Sequence, residues 1–507
     1  MLKPYVSRST KTTGPLLVEL VMMFMMVPLS GAAILYQQPE PMWDTWVYQE
    51  GEDYHLFFMS KGQIGRAISQ DLIHWKHLPV IPNMAKPGDW DAKGMKTGCT
   101  VKHDDTYYMS YGSGPRSPIG FLVSKDLINW KRYGDNPVLT SQPPYRAGDH
   151  WRDLSSYYDA KEQQWHGFLF GIHEKSSRPS IAHLTSEDYL HWQYHEPVFI
   201  SEPYSRDNNG FVFLEVPDYF QMGEKHYILF SSVRSRKSDT SGRKDASGTW
   251  YLISTRREGP YQVPSRPLLL GSGRGRHDHY VGRTLTYKGK RLLYHHTWGD
   301  GPVNWGTLKE VHQNQDGSLC LKYWSDLDLL ATETLMKTDR FTLEAVRDTR
   351  KLRMFNIDAS DIMVTCTLDL SKANAAALIW RSRSKTREGK ECATGLLVDS
   401  QTDTVSIVSV EHRQKFNANT ILTHLKDDYQ QEGISQGVIK VRIMVRAHIA
   451  EVYLNDTWLF CTEVADLPTH GDVGVMVDSG QVVVTDLEVK KLEPIGEKKT
   501  PATESIE

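Results

Sequence analysis

Three acidic residues stand in surroundings where a carboxylate is unusual. Asp44 lies between two tryptophans, Asp153 follows a tryptophan and an arginine, and Glu215 follows a phenylalanine and a leucine. A carboxylate in an apolar setting loses hydration, so pairing or function must compensate for it. Hydrolysis of a glycosidic bond uses two carboxyl groups: one protonates the leaving oxygen, and the other attacks the anomeric carbon or activates water. Each acid alone has a structural alternative, as a turn cap or ion-pair partner, but together they form the candidate catalytic set.

The elements that would position these acids are marked by a repeated phrase. It has the form Ser-x-Asp-(Leu/Tyr)-x-x-Trp and begins at Ser69, Ser124 and Ser186, at spacings of 55 and 62 residues. Its Asp can cap a turn, and its Trp can pack between repeated units. We therefore predict that the repeated residues are structural rather than catalytic.

Aromatic-rich strands recur five times, and most of them follow a polar or glycine-containing turn. They span residues 54–59, 107–111, 165–170, 226–231 and 291–296. Their apolar residues alternate with period two, which excludes a helical repeat, and units of this length with several short strands are typical of propeller blades. The sequence predicts a five-bladed β-propeller over residues 38–332, whose innermost strands direct the three acids towards the axis.

A second all-β region follows, because the repeats fade after about residue 330 while alternating strands continue to about residue 489. Two sheets packed face to face would bury the apolar faces of these strands. The sequence predicts a β-sandwich over residues 340–492, after a mixed stretch at 331–351 that is expected to hold a linker. The polar residues 493–507 are predicted to be a disordered tail. The predicted fold class is therefore all-β, with a five-bladed β-propeller followed by a C-terminal β-sandwich.

Residues 1–33 have the features of a signal peptide. Three basic residues precede an apolar run at 16–28, and the small residues 30–33 follow it. This pattern predicts a secreted or periplasmic protein, with no stable membrane insertion unless the segment remains uncleaved. An uncleaved anchor and an ordinary buried N-terminal segment are the alternatives.

Composition excludes several classes of partner. The formal net charge is -3, so no polyanionic partner is predicted and nucleic-acid binding is not expected. The 5 cysteines lie far apart without metal-ligand spacing. Histidines at 277, 279, 295 and 296 cluster late in the propeller, but scattered histidines in an aromatic protein are more often packing residues than metal ligands. The sequence therefore predicts no metal and no cofactor, and it leaves the oligomeric state open.

Five segments resemble glycoside hydrolase family 32, the invertase, inulinase and levanase group. Residues 215–220, Glu-Val-Pro-Asp-Tyr-Phe, resemble the family's Glu-Cys-Pro-Asp-Leu-Phe, and 152–154, Arg-Asp-Leu, resemble its Arg-Asp-Pro. Residues 96–99 resemble its Phe-Ser-Gly-Ser region, and 441–446 and 451–456 resemble two sandwich segments. The resemblance covers roughly residues 40–490 and implies hydrolysis of a fructofuranoside or related furanoside in an oligo- or polysaccharide.

The resemblance also implies roles for individual residues. Asp44 would be the nucleophile of a retaining mechanism, and Glu215 would be the general acid/base. Asp153, with Arg152 beside it, would hold sugar hydroxyls and stabilise the transition state. Thr97, in the matched 96–99 segment, would bind substrate.

Three further substrate contacts are predicted with less family support. Trp46, beside Asp44, and Trp305 would stack on a sugar ring, although both have packing between blades as the alternative. His279 would contact a substrate hydroxyl, with packing as its alternative. The four-histidine region resembles a late histidine pattern of glycoside hydrolase family 43, which shares the propeller and three acids.

Two other functions remain open. The segment around Asp44 reads Trp-Asp-Thr-Trp, without the Asn and the Pro-Asn-Gly of family 32. An inverting family-43-like arabinosidase or xylosidase is therefore the second hypothesis, and a wider separation of its two carboxyl groups would distinguish it. A non-catalytic glycan-binding propeller is the third.

Overall fold

The structure, a computed structural model, describes residues 35–494 except for 39, 115–117, 149, 206–207, 234–246, 272–277, 299–302, 385–389, 414–420, 425–428, 431–433, 435–436, 448 and 464–468. The predicted signal segment 1–33, and the predicted tail from residue 495 onward, lie outside these described residues. Within them, no helix is both long and apolar enough to span a membrane.

Four separate antiparallel sheets follow one another along the first half of the chain. The first contains β1 (Trp43–Glu50), β2 (Asp53–Ser60), β3 (Gln63–Ser69) and β4 (Lys76–Ile81). The second contains β5 (Gly98–His103), β6 (Thr106–Tyr111), β7 (Gly120–Ser124) and β8 (Lys131–Arg132). The third contains β9 (Arg152–Asp159), β10 (Gln164–His173), β11 (Arg178–Ser186), β12 (Gln193–Tyr194) and β13 (Phe199–Ile200). After a two-stranded pair, β14 (Tyr204–Ser205) and β15 (Asn208–Asn209), the fourth contains β16 (Glu215–Met222), β17 (Lys225–Val233), β18 (Ser247–Ser254) and β19 (Leu268–Gly271).

A fifth set of strands is continuous with the C-terminal region. It consists of β20 (Asp278–Tyr287), β21 (Lys290–Trp298), β22 (Asn304–Trp305), β23 (Lys309–Gln313) and β24 (Leu319–Tyr323). These strands begin a 15-stranded sheet, because Lys322 of β24 pairs with Thr457 beyond them. The all-β propeller prediction is confirmed for four separate blades, whereas the count of five stays a prediction because the last set is not a separate sheet.

The repeated phrase forms the turn after the third strand of each of the first three blades. Asp71 Oδ1 accepts the backbone N–H groups of Ile73 and His74, at 2.9 and 2.8 Å. The equivalent acids Asp126 and Asp188 accept the corresponding amides of their own turns. The structural role predicted for these aspartates is confirmed, because they satisfy backbone donors that the turn would leave unpaired.

Short turns with left-handed backbone close several hairpins. Lys61 and Gly62, with φ of 48° and 80°, join β2 to β3, and Lys288 and Gly289, with φ of 48° and 78°, join β20 to β21. Two successive residues with positive φ match the right-handed twist of the strands that they connect. These local sequences therefore set the register of each hairpin.

The C-terminal region is a sandwich-like arrangement built on three long strands. A 3₁₀ helix, η1 (Ser325–Leu330), leads directly into β25 (Ala331–Ala359), so the stretch expected to hold a linker is a strand. The other strands are β26 (Ile362–Ser384), β27 (Lys390–Asp399), β28 (Thr404–Arg413), β29 (Ile421–His424), β30 (Tyr429–Gln430), β31 (Val438–Arg446), β32 (Ile449–Leu454), β33 (Thr457–Glu463) and β34 (Gly471–Leu492). Strand β34 pairs with both β25 and β26, and their alternating apolar residues bury one core, which includes Val364, Trp380 and Val475.

Candidate active site

The inner strands of four of the five strand sets carry the same irregularity. The pairing register shifts after Trp43 in β1, after Arg152 in β9, after Glu215 in β16 and after Tyr280 in β20. A β-bulge of this kind bends the strand and redirects a side chain. The backbone φ is positive at Asp44 (43°) and Asp153 (66°) within these bulges.

The other two bulges place a valine in the left-handed region. Val216 has φ of 50° and Val281 has φ of 54°, which is unfavourable for a β-branched residue. Each valine directly follows a residue that faces the pocket, Glu215 or Tyr280. Strain of this kind persists where the surrounding structure holds it, commonly at functional sites.

The side chains redirected by these bulges converge on one cavity of about 380 Å³. Asp44, Asp153 and Glu215 all line this cavity, together with the predicted substrate-binding residues Thr97 and Arg152. The remaining lining residues are Trp43, Met59, Lys96, Gly112, Gly114, Val216, Tyr280 and Val281. A concave, mostly apolar cavity with a few convergent polar groups is the usual form of a small-molecule site.

Asp44 is held by one side-chain and one backbone hydrogen bond. Thr97 Oγ1 donates to Asp44 Oδ2, and the Asp44 backbone N–H donates to His296 Nδ1 at 3.1 Å. Burial, and after it the charge of Asp153, raise the pKa of Asp44 to about 7 against the opposing effect of the Thr97 hydrogen bond. His296 is fully buried, which lowers its pKa to about 3 and keeps the ring neutral, as its acceptor role towards Asp44 requires.

Asp153 is the most enclosed of the three acids, with 6% of its side chain exposed. Its Oδ2 accepts the backbone N–H of Val216 at 3.2 Å and lies 3.5 Å from Arg152 Nε. Burial raises the pKa of Asp153 to about 6, with the Arg152 charge lowering it and the Glu215 charge raising it. Asp44 and Asp153 are therefore two interacting carboxyl groups that titrate near neutral pH.

Glu215 has a donor on each carboxylate oxygen. Arg152 Nη2 donates to Oε1 at 2.7 Å, and the Tyr280 hydroxyl donates to Oε2 at 2.6 Å. Arg152 is fixed by its own packing, since its guanidinium lies over the rings of Phe170 and Phe213, at 4.7 and 5.7 Å from their centroids. The arrangement fixes the orientation of Glu215 and leaves 25% of its side chain exposed towards the cavity.

Three residues predicted to bind substrate do not line the cavity. Trp46 is 1% exposed, stacks on Phe57 and donates from Nε1 to Thr100 Oγ1 at 3.0 Å. Trp305 is fully buried between Tyr294 and Trp75. Both tryptophans are therefore core residues, which corrects the expectation that they stack on a sugar ring.

His279 is also corrected, because its side chain faces away from the cavity. It is fully buried, and its Nε2 lies 3.1 Å from the carbonyl oxygen of Cys461 in the sandwich region. Side chains alternate along a strand, so its neighbour Tyr280 faces the cavity instead. His295 packs edge-on against His279 and contacts Lys309 Nζ at 3.1 Å, and His277 lies outside the described residues.

The sequence analysis missed the other lining residues, among them Trp43, Met59, Lys96 and Tyr280. Two of them had a local signal. Trp43 directly precedes Asp44 and lines the cavity, whereas Trp46, on the other side of the bulge, is buried. Tyr280 directly follows His279, the residue that the sequence analysis predicted to contact substrate. The prediction therefore assigned the wrong face of the strand to the cavity.

One group of side chains outside the cavity has the composition of a metal site. Ligand atoms of Asp159, Glu162 and His166 lie within 4.8 Å of one another. Arg257 occupies this group, since Nη2 lies 2.7 Å from Asp159 Oδ2, and Nη1 lies 2.7 Å from Glu162 Oε2 and 2.9 Å from His166 Nε2. A guanidinium already supplies the positive charge that these ligands would otherwise share with a metal.

Comparisons with known proteins agree with the geometry. Residues 44–298 match the model of the glycosyl hydrolases family 32 N-terminal domain. A levanase from a Bacillus strain is 30% identical over 194 residues, which are 35% of this chain and 20% of the levanase. A sucrose-6-phosphate hydrolase of Zymomonas mobilis subsp. mobilis is 23% identical over 384 residues, which are 68% of this chain and 70% of that enzyme. A fructosyltransferase of Allium cepa is 34% identical, but the match spans only 24% of its length.

Solved structures resemble the whole arrangement of the two regions. An exo-inulinase from Aspergillus awamori aligns with a TM-score of 0.66 at 14% identity, over 91% of this chain and 98% of that one. The Bombyx mori family 32 β-fructofuranosidase aligns with a TM-score of 0.61 at 16% identity, over 90% and 93%. At these identities the structural similarity establishes only the fold. The family is established by the matched domain model, which covers half of the chain. The chain belongs to glycoside hydrolase family 32.

Proposed function

We propose that the chain is a retaining glycosidase that cleaves a fructofuranoside, or a related furanoside, in an oligo- or polysaccharide. The observation that carries this proposal is the convergence of Asp44, Asp153 and Glu215 on one cavity. Two carboxyl groups on either side of a glycosidic bond are the requirement of this chemistry. The printed functions of the relatives, a levanase and a sucrose-6-phosphate hydrolase among them, support a fructosyl substrate.

In the first step, Asp44 attacks the anomeric carbon while Glu215 protonates the leaving oxygen. A bond forms between Asp44 Oδ and the anomeric carbon, the bond to the leaving oxygen breaks, and the proton of Glu215 leaves with the aglycone. In the second step, Glu215 removes a proton from water, and the resulting hydroxide displaces Asp44 from the sugar. Both carboxyl groups then return to their starting ionisation.

The neighbouring residues orient the sugar and stabilise the charges that develop on the sugar ring and the carboxylates during the reaction. Asp153, close to Asp44, accepts hydrogen bonds from sugar hydroxyls and stabilises the positive charge that develops on the ring. Sugar hydroxyls that donate to Asp44 and Asp153 also favour their ionised forms, so substrate binding shifts the proton away from the nucleophile. Trp43 supplies an apolar wall on which a sugar face can pack.

A substrate panel tests the proposal. Wild-type protein, Asp44→Asn and Glu215→Gln are assayed on sucrose, inulin, levan and nitrophenyl furanosides and pyranosides. We expect turnover of a furanoside by the wild type and a loss of about three orders of magnitude or more in both variants. Activity on arabinosides or xylosides with inversion would support a family-43-like enzyme instead. Glycan binding by folded protein without any turnover would support a binding propeller.

Two further expectations remain as proposals. Strands β20–β24 serve as a fifth blade, because their inner strand contributes Tyr280 to the same cavity as the inner strands of the other blades. The protein is exported after removal of residues 1–33, and N-terminal sequencing of material from the native source tests this. A mature N-terminus near residue 34 is the expected result, and an intact N-terminus would favour an anchor.

A further inference from the structure

The first and fifth sets of strands meet beside Asp44. Strand β1 is the edge strand of its sheet, so the backbone groups on its unpaired side need partners elsewhere. Two side chains of β21 provide acceptors: the Asp44 N–H donates to His296 Nδ1 at 3.1 Å, and the Val47 N–H donates to the Tyr294 hydroxyl at 3.2 Å. The contact between the two sets of strands therefore includes the backbone of the proposed nucleophile.

The Asp44 N–H depends on this acceptor because it lies in a bulge. The pairing register of β1 with β2 shifts between Trp43 and Trp46, and Asp44 has φ of 43°. A bulge leaves its extra residue without a partner in the ladder, and a buried N–H without an acceptor costs about as much free energy as a lost hydrogen bond. His296 supplies the acceptor, so it stabilises the bulged conformation of Asp44.

His296 contacts three cavity residues from outside the cavity. Its side chain is fully buried and is not among the lining residues. Its ring packs edge-on against Trp43, with centroids 5.3 Å apart, and lies 6.1 Å from the ring of Tyr280, its cross-strand partner on β20. His296 Nδ1 also lies 3.9 Å from Asp44 Oδ1. One buried ring is therefore close to both the backbone and the carboxyl group of the nucleophile.

The acceptor role of His296 does not change with pH near neutrality. Burial lowers the pKa of His296 to about 3, so the ring is neutral. A neutral imidazole has one N–H donor and one acceptor nitrogen, and Nδ1 is the acceptor here because the Asp44 N–H donates to it. The hydrogen bond therefore persists while the carboxyl groups of the cavity change their ionisation.

We propose that His296 is a positioning residue for the nucleophile, which holds the Asp44 backbone in the conformation that directs its carboxyl group into the cavity. The part that concerns catalysis rests on the proposed function, in which Asp44 attacks the anomeric carbon. Displacement of a reacting group by about 1 Å can lower a rate by about 10²-fold. His296 therefore contributes to the chemical step through Asp44, without contact with the sugar.

Two substitutions separate the acceptor atom of His296 from its ring. Asparagine carries its side-chain oxygen on Cγ, where histidine carries Nδ1, so His296→Asn keeps an acceptor for the Asp44 N–H. His296→Leu places a methyl group there instead. Both variants lose the ring that packs against Trp43 and Tyr280, so an effect of that ring on sugar binding is common to both.

Tyr294→Phe is the matched control. It removes the acceptor of the Val47 N–H, which joins the same two strands, and it leaves the contacts of Asp44 in place. Tyr294 is buried and does not line the cavity. A general weakening of the contact between β1 and β21 should therefore affect Tyr294→Phe as much as His296→Leu.

Kinetics on a nitrophenyl furanoside test the catalytic part. We expect kcat to fall by about 10²-fold in His296→Leu, to recover most of this loss in His296→Asn, and to stay near the wild-type value in Tyr294→Phe. An unchanged kcat in His296→Leu would overturn the proposal. An equal loss in His296→Asn or in Tyr294→Phe would also overturn it, because the loss would then not depend on the acceptor of the Asp44 N–H.

Hydrogen exchange of the Asp44 amide separates this proposal from the proposed function. Mass spectrometry with fragmentation that resolves single residues should show exchange at least about tenfold faster in His296→Leu than in the wild type, His296→Asn or Tyr294→Phe. Faster exchange with no turnover by the wild type would refute the enzymatic assignment but retain the support of Asp44 by His296. Unchanged exchange in His296→Leu would refute that support whether or not the wild type is active.

Discussion

Replacing Asp44 with asparagine is expected to stabilise the folded protein at alkaline pH. Burial, assisted by the charge of Asp153, raises the pKa of Asp44 from 3.8 to about 7. Above neutral pH, the folded protein must hold an ionised carboxylate in a place that disfavours its charge, whereas in the unfolded chain this carboxylate is hydrated. Asparagine removes the charge and keeps the shape.

The magnitude follows from the difference between the folded and unfolded pKa values. A rise from 3.8 to about 7 corresponds to at most about 4 kcal/mol of unfolding free energy. The folded pKa of Asp44 is higher than the unfolded pKa. The contribution of Asp44 to the unfolding free energy is therefore fully present below about pH 4 and is lost as the pH rises through about 7. The variant does not titrate at this position, so its advantage over the wild type should grow across that interval.

The local geometry suits asparagine. Residue 44 has φ of 43°, a left-handed conformation that Asn tolerates better than most residues. The side-chain amide oxygen can accept the Thr97 hydroxyl, and the backbone hydrogen bond to His296 is unchanged. The comparison therefore isolates the cost of the buried charge.

Urea unfolding of wild type and Asp44→Asn at about pH 4 and about pH 8 measures this difference. Asp126→Asn is the control of opposite sign, because the amides of Asn129 and Ile128 hold the pKa of Asp126 below its usual value. That variant should lose stability relative to the wild type at both pH values, because the stability that a lowered carboxyl pKa contributes is lost only as the pH falls below about 4. Equal or lower stability of Asp44→Asn near pH 8 would refute the reasoning.

Three further substitutions test a buried ion pair in the propeller, an ion pair between propeller and sandwich, and an apolar residue that lines the cavity. Arg283→Met should cost about 3 kcal/mol in urea unfolding, because it removes the larger of two cationic influences on the buried Asp218 carboxylate, 3.8 Å from Arg283 Nε, and leaves only Arg291; a loss below about 1 kcal/mol would contradict this. Lys309→Met should cost a similar amount, since Lys309 and Glu451 form a fully buried ion pair at 2.7 Å between propeller and sandwich; an unchanged unfolding midpoint would argue against it. Trp43→Ala should raise KM about tenfold through loss of the apolar sugar contact, and an unchanged KM would remove Trp43 from the binding site.

The fold class followed from the sequence because its signals are local. The repeated Ser-x-Asp phrase marks turns whose hydrogen bonds lie within a few residues, as at Asp71 and Asp126. Period-two strands between such turns suffice to predict a propeller. The count of separate blades was less accessible, because the junction of β24 with the sandwich depends on the pairing of Lys322 with Thr457, which are far apart in sequence.

The sequence analysis predicted the three acids of the cavity, together with Thr97 and Arg152, and missed its other lining residues. Asp44, Asp153 and Glu215 stand out because carboxylates are rare among aromatic neighbours, and this contrast is visible without coordinates. Which neighbour shares the cavity depends on bulges, and a bulge shifts the facing of every later residue by one. In β20 the bulge follows Tyr280, so ordinary strand alternation decides that Tyr280 rather than the adjacent His279 faces the cavity.

The identity of the nucleophile is the central claim, and trapping the glycosyl-enzyme tests it most directly. Glu215→Gln is incubated with a furanoside that carries a nitrophenolate leaving group, which departs without a general acid, and the protein is digested and mapped by mass spectrometry. The account predicts one added glycosyl group on the peptide that contains Asp44, and none in the double variant with Asp44→Asn. A label on another residue of the cavity, or release of product with no label at any time, would contradict it.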